Sequence, residues 1–428
     1  MPRAPAVLAA PHARFELPKY DEIALVLQGG GALGSYQAGV YEGLSERGVE
    51  PTWIAGISIG ALNAAILAGN APEDRVEALK GFWKTITKPD DAVGLGGAWI
   101  LQAMGFDAAA RGWASGWSAM RAVLEGQDEF FSLRLPVPFA GFDIATPDKV
   151  SYYDTAPLID TLKRYADFDR INDGGIRVSV GAVNIRRGNF VYFDNSKMRL
   201  KPEHFAASSA LPPGFPAVEI EGEYYWDGGV VSNTPLIEIF SNAREKNILA
   251  FQLDLWSAKG KLPGTFAEIE ERLKDIQYSS RTRTIEKIMT ENRHRANAIK
   301  EFLDHLPEEI KNDNPHIERA CKIATSGTIN LIHLTYQNRL FEKHYKDVEF
   351  SRDTMLEHWA SGLEDIRQSF EHRDWFFMPS HELGFVTHDI HRTSQRPIGS
   401  SAPEDCDRDT HGEACLTMFR QSARPVPD

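Results

Sequence analysis

The sequence predicts an α/β fold, a three-layer α/β/α sandwich with a mostly parallel central sheet. Two apolar, strand-like runs near the start, residues 25–27 and 53–55, each lead through a glycine-containing turn into a helical pattern. Two later apolar runs, residues 248–254 and 328–336, have the length of buried strands. Because strands alternate with helices in this part of the chain, neighbouring strands are expected to pair in parallel.

The first strand leads into a glycine run that begins at Gly29, Gly30 and Gly31. Backbone amides in such a loop can bind an anion, so the loop is interpreted as an oxyanion hole. Gly29, Gly31 and Gly34 also match the G-x-G-x-x-G pattern of dinucleotide-binding proteins, which leaves a nucleotide-binding module as an alternative. The second strand carries no acidic residue at the distance that this alternative requires.

The second strand leads into a turn in which Gly56 and Gly60 flank Ser58. A G-x-S-x-G sequence between a strand and a helix is typical of a nucleophile elbow. The glycines leave room for neighbouring backbone, and the helix amino terminus favours developing negative charge near the hydroxyl. Ser58 is therefore a candidate nucleophile for the hydrolysis of an ester.

A third motif follows a short aromatic stretch, where Asp227 precedes Gly228 and Gly229. An Asp-Gly-Gly sequence alone is most often a turn. Together with a serine elbow and an anion-binding loop, it makes Asp227 a candidate general base.

These three segments, in this order, resemble the patatin-like phospholipase family. The resemblance covers roughly residues 20–340 and includes the small-residue and proline-rich segment 206–216. It implies a Ser–Asp dyad without a catalytic histidine, in which Ser58 is the nucleophile and Asp227 the base. It also implies that Gly29, Gly30 and Gly31 line the oxyanion hole.

The chain departs from the family pattern at two positions. Leu33 stands where the family usually carries Arg or Lys, which weakens the case for a phospholipid rather than another hydrophobic acyl ester or a polyester. Asn233 is followed by Thr234, where the family more often shows a second asparagine.

The expected organisation is an extension (1–20), a patatin-like catalytic domain (21–340), a C-terminal helical extension (341–387) and a disordered tail (388–428). Within the catalytic domain, residues 88–150 interrupt the alternation of strands and helices and are rich in Trp, Phe and Met. This insertion is interpreted either as a lid or acyl-binding cap over the site, or equally well as a small local core.

Composition restricts the partners. A formal net charge of -13 argues against nucleic acid and gives no general attraction to anionic lipid. The three cysteines form no disulfide framework, and Cys406, His411 and Cys415 make only a weak metal-binding cluster, so neither a metal nor another cofactor is expected. No segment has the length of a signal sequence or a membrane span, so a cytosolic protein is expected, with peripheral membrane contact left open.

The sequence thus favours a serine acyl hydrolase of lipase or phospholipase type that acts on lipid or other hydrophobic acyl esters. A Ser-His-Asp esterase of α/β-hydrolase type remains an alternative enzyme class, because thirteen histidines are available as a third member. A nucleotide-binding module remains the alternative from another class. Oligomeric state and head-group preference do not follow from the sequence.

Overall fold

A computed structural model describes residues 15–89, 92–127, 129–134, 146–242, 245–307, 311, 314–324, 327–337 and 345–391. All of these residues belong to one unit, residues 1–391. Most of the expected extension 1–20, and nearly all of the expected tail with Cys406, His411 and Cys415, lie outside the described residues.

The described strands are β1 Glu22–Leu27, β2 Trp53–Gly56, β3 Gly126–Gln127, β4 Phe131–Leu133, β5 Tyr153–Asp154, β6 Arg177–Asn184, β7 Phe190–Asp194, β8 Val218–Ile220, β9 Glu223–Asp227, β10 Ile248–Asp254, β11 Ile329–Thr335 and β12 Phe385–His388. The described helices are α1 Ser35–Glu46, α2 Ile59–Ala68, α3 Arg75–Ile86, α4 Ala92–Ala103, α5 Asp107–Glu125, α6 Ala156–Tyr165, α7 Phe168–Asp173, α8 Pro202–Ser208, α9 Leu236–Asn242, α10 Phe266–Tyr278, α11 Thr282–Asp304, α12 Pro315–Ala324 and α13 Arg352–Glu371.

Nine of the described strands form the central sheet, in the order β12-β11-β10-β1-β2-β6-β9-β8, with β7 also paired to β6. The strands from β12 to β6 pair in parallel, whereas β7, β8 and β9 pair antiparallel. This arrangement confirms the predicted mostly parallel sheet.

Strand β1 shows why the sheet is covered on both faces. Its side chains alternate between two apolar cores, with Leu25 and Leu27 in one and Ala24 and Val26 in the other. Helices α1, α2, α3 and α13 contribute to the first core, and α9 contributes to the second. A strand that is apolar on both faces must be buried by helices on both sides, which gives the predicted three layers.

The segment predicted as a C-terminal helical extension is packed into the same unit. Helix α13 lies against α1 so closely that a Cβ on Gly39 would collide with the carbonyl oxygen of Trp359. Strand β12 then extends the central sheet beyond β11. Residues 345–391 therefore cover one face of the sheet and supply its edge strand.

The aromatic insertion contains α4, α5, β3 and β4, and β5, just after the insertion, completes a small antiparallel sheet with β3 and β4. Phe130 and Phe131 are buried in it, whereas Trp99, Phe106 and Trp113 are exposed. The insertion thus contains both an inner aromatic cluster and an outer apolar surface.

Candidate active site

Ser58 lies in a strained turn between β2 and α2. Its backbone has φ 55° and ψ −128°, a left-handed conformation that non-glycine residues rarely adopt. A Cβ on Gly60 would collide with the carbonyl oxygen of Leu27, and a Cβ on Gly56 would meet the carbonyl oxygen of Gly60 at 2.5 Å. Both positions therefore require glycine, and the strained serine is what a nucleophile elbow needs to present its hydroxyl.

Strand β6 brings Ser58 and Asp227 together. Gly56 at the end of β2 lies opposite Val180, and Asp227 at the end of β9 lies opposite Ala182. The end of β2 and the end of β9 therefore pair with residues of β6 that are only two positions apart.

The Asp227 carboxyl is 1% exposed. Burial raises its pKa from 3.8 to about 7, while the Gly229 amide and the Ser58 side chain act in the opposite direction. The Gly229 amide donates to Asp227 Oδ1 at 2.7 Å, which fixes the orientation of the carboxyl. Because none of the described cations contributes to this pKa, the carboxyl is poised near neutrality by desolvation.

The glycine loop at the end of β1 is held from several directions. The carbonyl oxygen of Gly29 accepts hydrogen bonds from Trp256 Nε1 and Asn233 Nδ2, each at 2.8 Å. The amide of Ala32 donates to the carbonyl oxygen of Asp347 at 2.9 Å. A Cβ on Gly31, whose φ is 56°, would collide with that same oxygen.

The three loop amides differ in what they contact. The amide of Gly29 donates to the carbonyl oxygen of Asn233 at 3.2 Å. The amides of Gly30 and Gly31 have no acceptor among the described residues, and both residues line the cavity that contains Ser58. These two N–H groups are therefore available to a bound oxygen atom.

Two other positions in the loop have structural explanations. The carbonyl oxygen of Gly34 accepts from Asn63 Nδ2 at 3.0 Å, and a Cβ on Gly34 would meet the Ile59 side chain at 2.6 Å. Gly34 thus permits close packing of the loop against α2. Leu33 is fully buried in the apolar core and does not line the cavity, so this position contributes packing and no charge.

A cavity of about 320 Å³ opens beside Ser58 and Asp227. Its walls are mostly apolar, and the rings of Phe130, Phe131, Phe215 and Phe350 form one cluster with centroid distances between 5.2 and 6.4 Å. A cavity with an apolar body and a few polar groups at one end suits a hydrophobic substrate that carries one reactive polar group.

The predicted residues Ser58, Asp227, Gly29, Gly30, Gly31 and Gly229 all line this cavity. Gly228 lies behind Asp227, where a Cβ would meet the carbonyl oxygen of Gly181 at 2.8 Å. The prediction did not include Trp256, Tyr278 and Asp347 as site residues, although all three line the cavity. They come from distant segments, and only Asn233, next to the Asp-Gly-Gly motif, carried a local sequence signal.

The structure gives little support to a Ser-His-Asp triad at this site. Within the part of the chain that the structure describes, no histidine lines the cavity, and the buried His333 Nε2 contacts Asp254 at 2.7 Å instead. The described residues contain no group of three or more His, Cys, Asp or Glu side chains suited to a metal ion. Among the helices that the structure describes, none is long and apolar enough to cross a membrane.

The fold and the site together define a class of protein: an α/β enzyme with a serine elbow beside a buried carboxyl and a glycine-rich loop. A family model described as patatin-like phospholipase matches residues 25–240, half of the chain, and a second, described as patatin phospholipase, matches residues 276–382. The chain therefore belongs to the patatin-like phospholipase family and is a lipid-hydrolysing enzyme.

Solved structures give more distant likenesses. VipD from Legionella pneumophila is 14% identical with a TM-score of 0.35, and the match covers 85% of this chain and 70% of VipD. Human GIVD cytosolic phospholipase A2 is 10% identical with a TM-score of 0.29, covering 54% of this chain and 45% of that one. The type III effector protein ExoU is 11% identical with a TM-score of 0.28, covering 84% and 54%. No curated protein matches the chain.

Proposed function

We propose that this protein is a serine acyl hydrolase in which Ser58 is the nucleophile and Asp227 the general base. The observation that carries the proposal is the buried Asp227 carboxyl, whose pKa of about 7 is influenced by the Ser58 side chain. A base with a pKa near the working pH is present as carboxylate and still returns its proton readily.

The proposed reaction has two halves. Ser58 Oγ attacks the carbonyl carbon of the ester while Asp227 accepts the hydroxyl proton, and the carbonyl oxygen becomes an oxyanion. The amides of Gly30 and Gly31 donate to this oxyanion, whereas Gly29 shapes the loop because its own amide already donates to Asn233. The intermediate collapses, the alkoxide leaves with the proton from Asp227, and an acyl-enzyme remains.

Water completes the cycle. Asp227 accepts a proton from a water molecule that attacks the acyl-enzyme, and the second tetrahedral intermediate is held by the same two amides. Its collapse releases the carboxylic acid and returns the proton to Ser58 Oγ. No group other than the dyad and the loop amides is needed, so the proposal includes no metal or cofactor.

The lining of the cavity supports a hydrophobic acyl ester as substrate. Phe130, Phe131, Phe215 and Phe350 offer a wall for an alkyl chain, and transfer of methylene groups from water to such a wall contributes about 0.8 kcal/mol each. We therefore propose that the acyl chain lies along these rings, with its carbonyl carbon next to Ser58.

A serine-directed fluorophosphonate probe with a long alkyl chain tests the dyad. The wild type is expected to be labelled at Ser58 alone. Ser58→Ala and Asp227→Asn are each expected to lose hydrolysis of a soluble ester while keeping the wild-type circular dichroism spectrum. Ser209→Ala is the matched control, because Ser209 also lines the cavity and its hydroxyl only donates to the Phe205 carbonyl.

Two results would refute the dyad. One is labelling at a serine other than Ser58. The other is a folded histidine variant that loses all activity, which would favour the Ser-His-Asp alternative. Tight nucleotide binding that Gly30→Ala abolishes would instead favour the nucleotide-binding module.

A further inference from the structure

Helix α10 turns its apolar side chains outward, whereas surface helices usually turn them toward the core. Phe266, Ile269, Leu273 and Ile276 recur at spacings of three and four residues, and all four are exposed. Phe266 is 88% and Leu273 62% exposed. An amphipathic helix normally turns such a stripe toward the core, so this stripe has no partner among the described residues.

The opposite face of α10 holds the helix in this orientation with charges. Lys346 is 2% exposed, and its Nζ lies 2.6 Å from Asp275 Oδ1. Lys274 Nζ lies 2.8 Å from Asp347 Oδ1. Removing one partner from a buried ion pair is strongly destabilising, so the inward face of α10 is fixed by these contacts. The outward direction of the apolar stripe is therefore built into the fold.

Helix α10 ends at the cavity. Tyr278, two residues after Ile276, lines the cavity, and its carbonyl oxygen accepts from Gln28 Nε2 at 3.0 Å and Asn233 Nδ2 at 3.2 Å. Asp347, the partner of Lys274, also lines the cavity. The carboxyl end of α10 and the segment that pairs with its inward face therefore contribute to the cavity wall, while the apolar stripe faces outward on the other side of the helix.

A second exposed apolar surface borders the same cavity. Val123 in α5 is about half exposed and lines the cavity, and Leu124 and Met120 beside it are exposed as well. This surface borders the cavity directly through Val123.

We propose that the α10 stripe, defined as Phe266, Ile269, Leu273 and Ile276, docks this enzyme on the surface of aggregated lipid. This inference rests on the proposed function, since it names the surface from which that site receives its substrate. Apolar side chains buried at the headgroup boundary hold an amphipathic helix on a lipid surface. An acyl chain then passes from the aggregate into the cavity along an apolar path.

Charges near the two ends of the helix favour a lipid surface over a second copy of the chain. Lys259 and Lys261 precede the stripe, and Arg281 and Arg283 follow it, all exposed. Of the acids between them, Glu268 caps the helix, accepting from the Gly264 amide at 2.7 Å, Asp275 pairs with Lys346, and Glu270 is exposed. Exposed basic residues beside an apolar stripe suit anionic headgroups, whereas they would repel one another across a symmetric dimer contact.

The test measures binding separately from catalysis. Full-length Ser58→Ala protein is sedimented with vesicles of phosphatidylcholine, and with vesicles that also contain phosphatidylglycerol. We expect binding to both, tighter to the second. Adding Phe266→Ser and Leu273→Ser is expected to lower the partition coefficient by about tenfold or more. The matched control adds Phe302→Ser and Leu356→Ser, which are also exposed but lie on α11 and α13; its partition coefficient is expected to stay within about twofold.

Three results would overturn the proposal. The first is absence of vesicle binding by the Ser58→Ala protein. The second is equal loss of binding in both double variants. The third is a wild-type dimer, seen by light scattering, that the Phe266→Ser/Leu273→Ser variant dissociates, which would make the stripe a self-association surface. Hydrolysis of a soluble short-chain ester separates this inference from the proposed function. With wild-type Ser58 in place, the Phe266→Ser/Leu273→Ser variant should retain that activity. A chain without any esterase activity that still binds vesicles would refute only the dyad.

Discussion

Ser208 holds the backbone of Ser58 through two acceptors. The amide of Ser58 donates to the Ser208 carbonyl oxygen at 3.1 Å and to Ser208 Oγ at 3.0 Å. Ser208 Oγ in turn donates to the carbonyl oxygen of Gly181 at 2.6 Å. Gly181 lies between the two residues of β6 that pair with Gly56 and Asp227. Ser208 therefore connects the turn that carries Ser58 to the strand that positions both proposed catalytic residues.

Replacing Ser208 with alanine should therefore misplace Ser58 without removing any proposed catalytic group. We expect kcat for a soluble ester to fall by about 10- to 100-fold, because small displacements of a nucleophile have effects of this size. KM should change little, since Ser208 does not line the cavity. Steady-state kinetics of Ser208→Ala and Ser209→Ala side by side provide the measurement. Equal kcat values in the two variants would argue against this positioning role.

Activity should depend on the ionisation of a single carboxyl. Burial raises the pKa of Asp227 to about 7, and only the carboxylate can accept the proton of Ser58. We expect kcat/KM for a soluble ester to rise with pH as Asp227 loses its proton and to level off above about pH 8. A pH–rate profile measured across this range, with a substrate that does not itself ionise, checks the prediction. A profile that is flat through neutrality would contradict it.

Asp227 should also lower the stability of the protein at high pH. Its folded pKa lies above the unfolded value of 3.8, so between about pH 4 and pH 7 the folded state binds more protons than the unfolded state. The free energy of unfolding therefore falls as pH rises through this window. Asp227→Asn avoids this loss and should be more stable than the wild type at pH 8, by up to about 4 kcal/mol.

Urea denaturation at about pH 5 and about pH 8 tests this stability difference. The advantage of Asp227→Asn should be larger at the higher pH. Ser58→Ala is the control, because it keeps the buried carboxyl and removes a contact that lowers its pKa, so its stability should fall with pH at least as much as that of the wild type. An advantage that is the same at both pH values would mean that burial does not raise the pKa of Asp227.

The loop amides can be tested by adding a single methyl group. A Cβ on Gly30 would meet Leu255 Cδ1 at 2.7 Å, so Gly30→Ala must displace either the loop or the buried Leu255 side chain that packs against it. We expect kcat to fall by about 10²- to 10³-fold, the usual effect of losing one oxyanion donor. Labelling by the fluorophosphonate probe should slow in parallel. A change confined to KM would assign the loop to substrate binding instead.

The local motifs of the chain were enough to select residues that the fold brings to one cavity. Ser58 and the glycine loop follow the neighbouring parallel strands β2 and β1, whose carboxyl ends meet at one edge of the sheet. Asp227 instead ends the antiparallel strand β9 and reaches the site through its register on β6. What local sequence could not supply was the set of contacts that hold the loop. Trp256 and Asp347 reach Gly29 and Ala32 from segments that are adjacent only in the folded molecule.

The orientation of α10 was also beyond prediction from the sequence. Its apolar periodicity alone indicates a face turned toward the core. In the structure the apolar side chains face outward, because Asp275 on the other face of the helix forms a buried ion pair with Lys346, a residue far away in the chain. Strand β12 was not identified from the sequence either, because its four residues give too short a pattern to indicate an edge strand.

The hydrogen bond between the Ala32 amide and the Asp347 carbonyl has a consequence for biosynthesis. A ribosome makes the chain from its amino terminus, so the elements that carry Ser58 and Asp227 emerge long before residue 347. Until that late segment is made and folded, the glycine loop lacks the acceptor that holds it in place. A nascent chain should therefore carry Ser58 before the loop proposed to bind the oxyanion is held in place, and we expect ester hydrolysis only after the segment with Asp347 has folded.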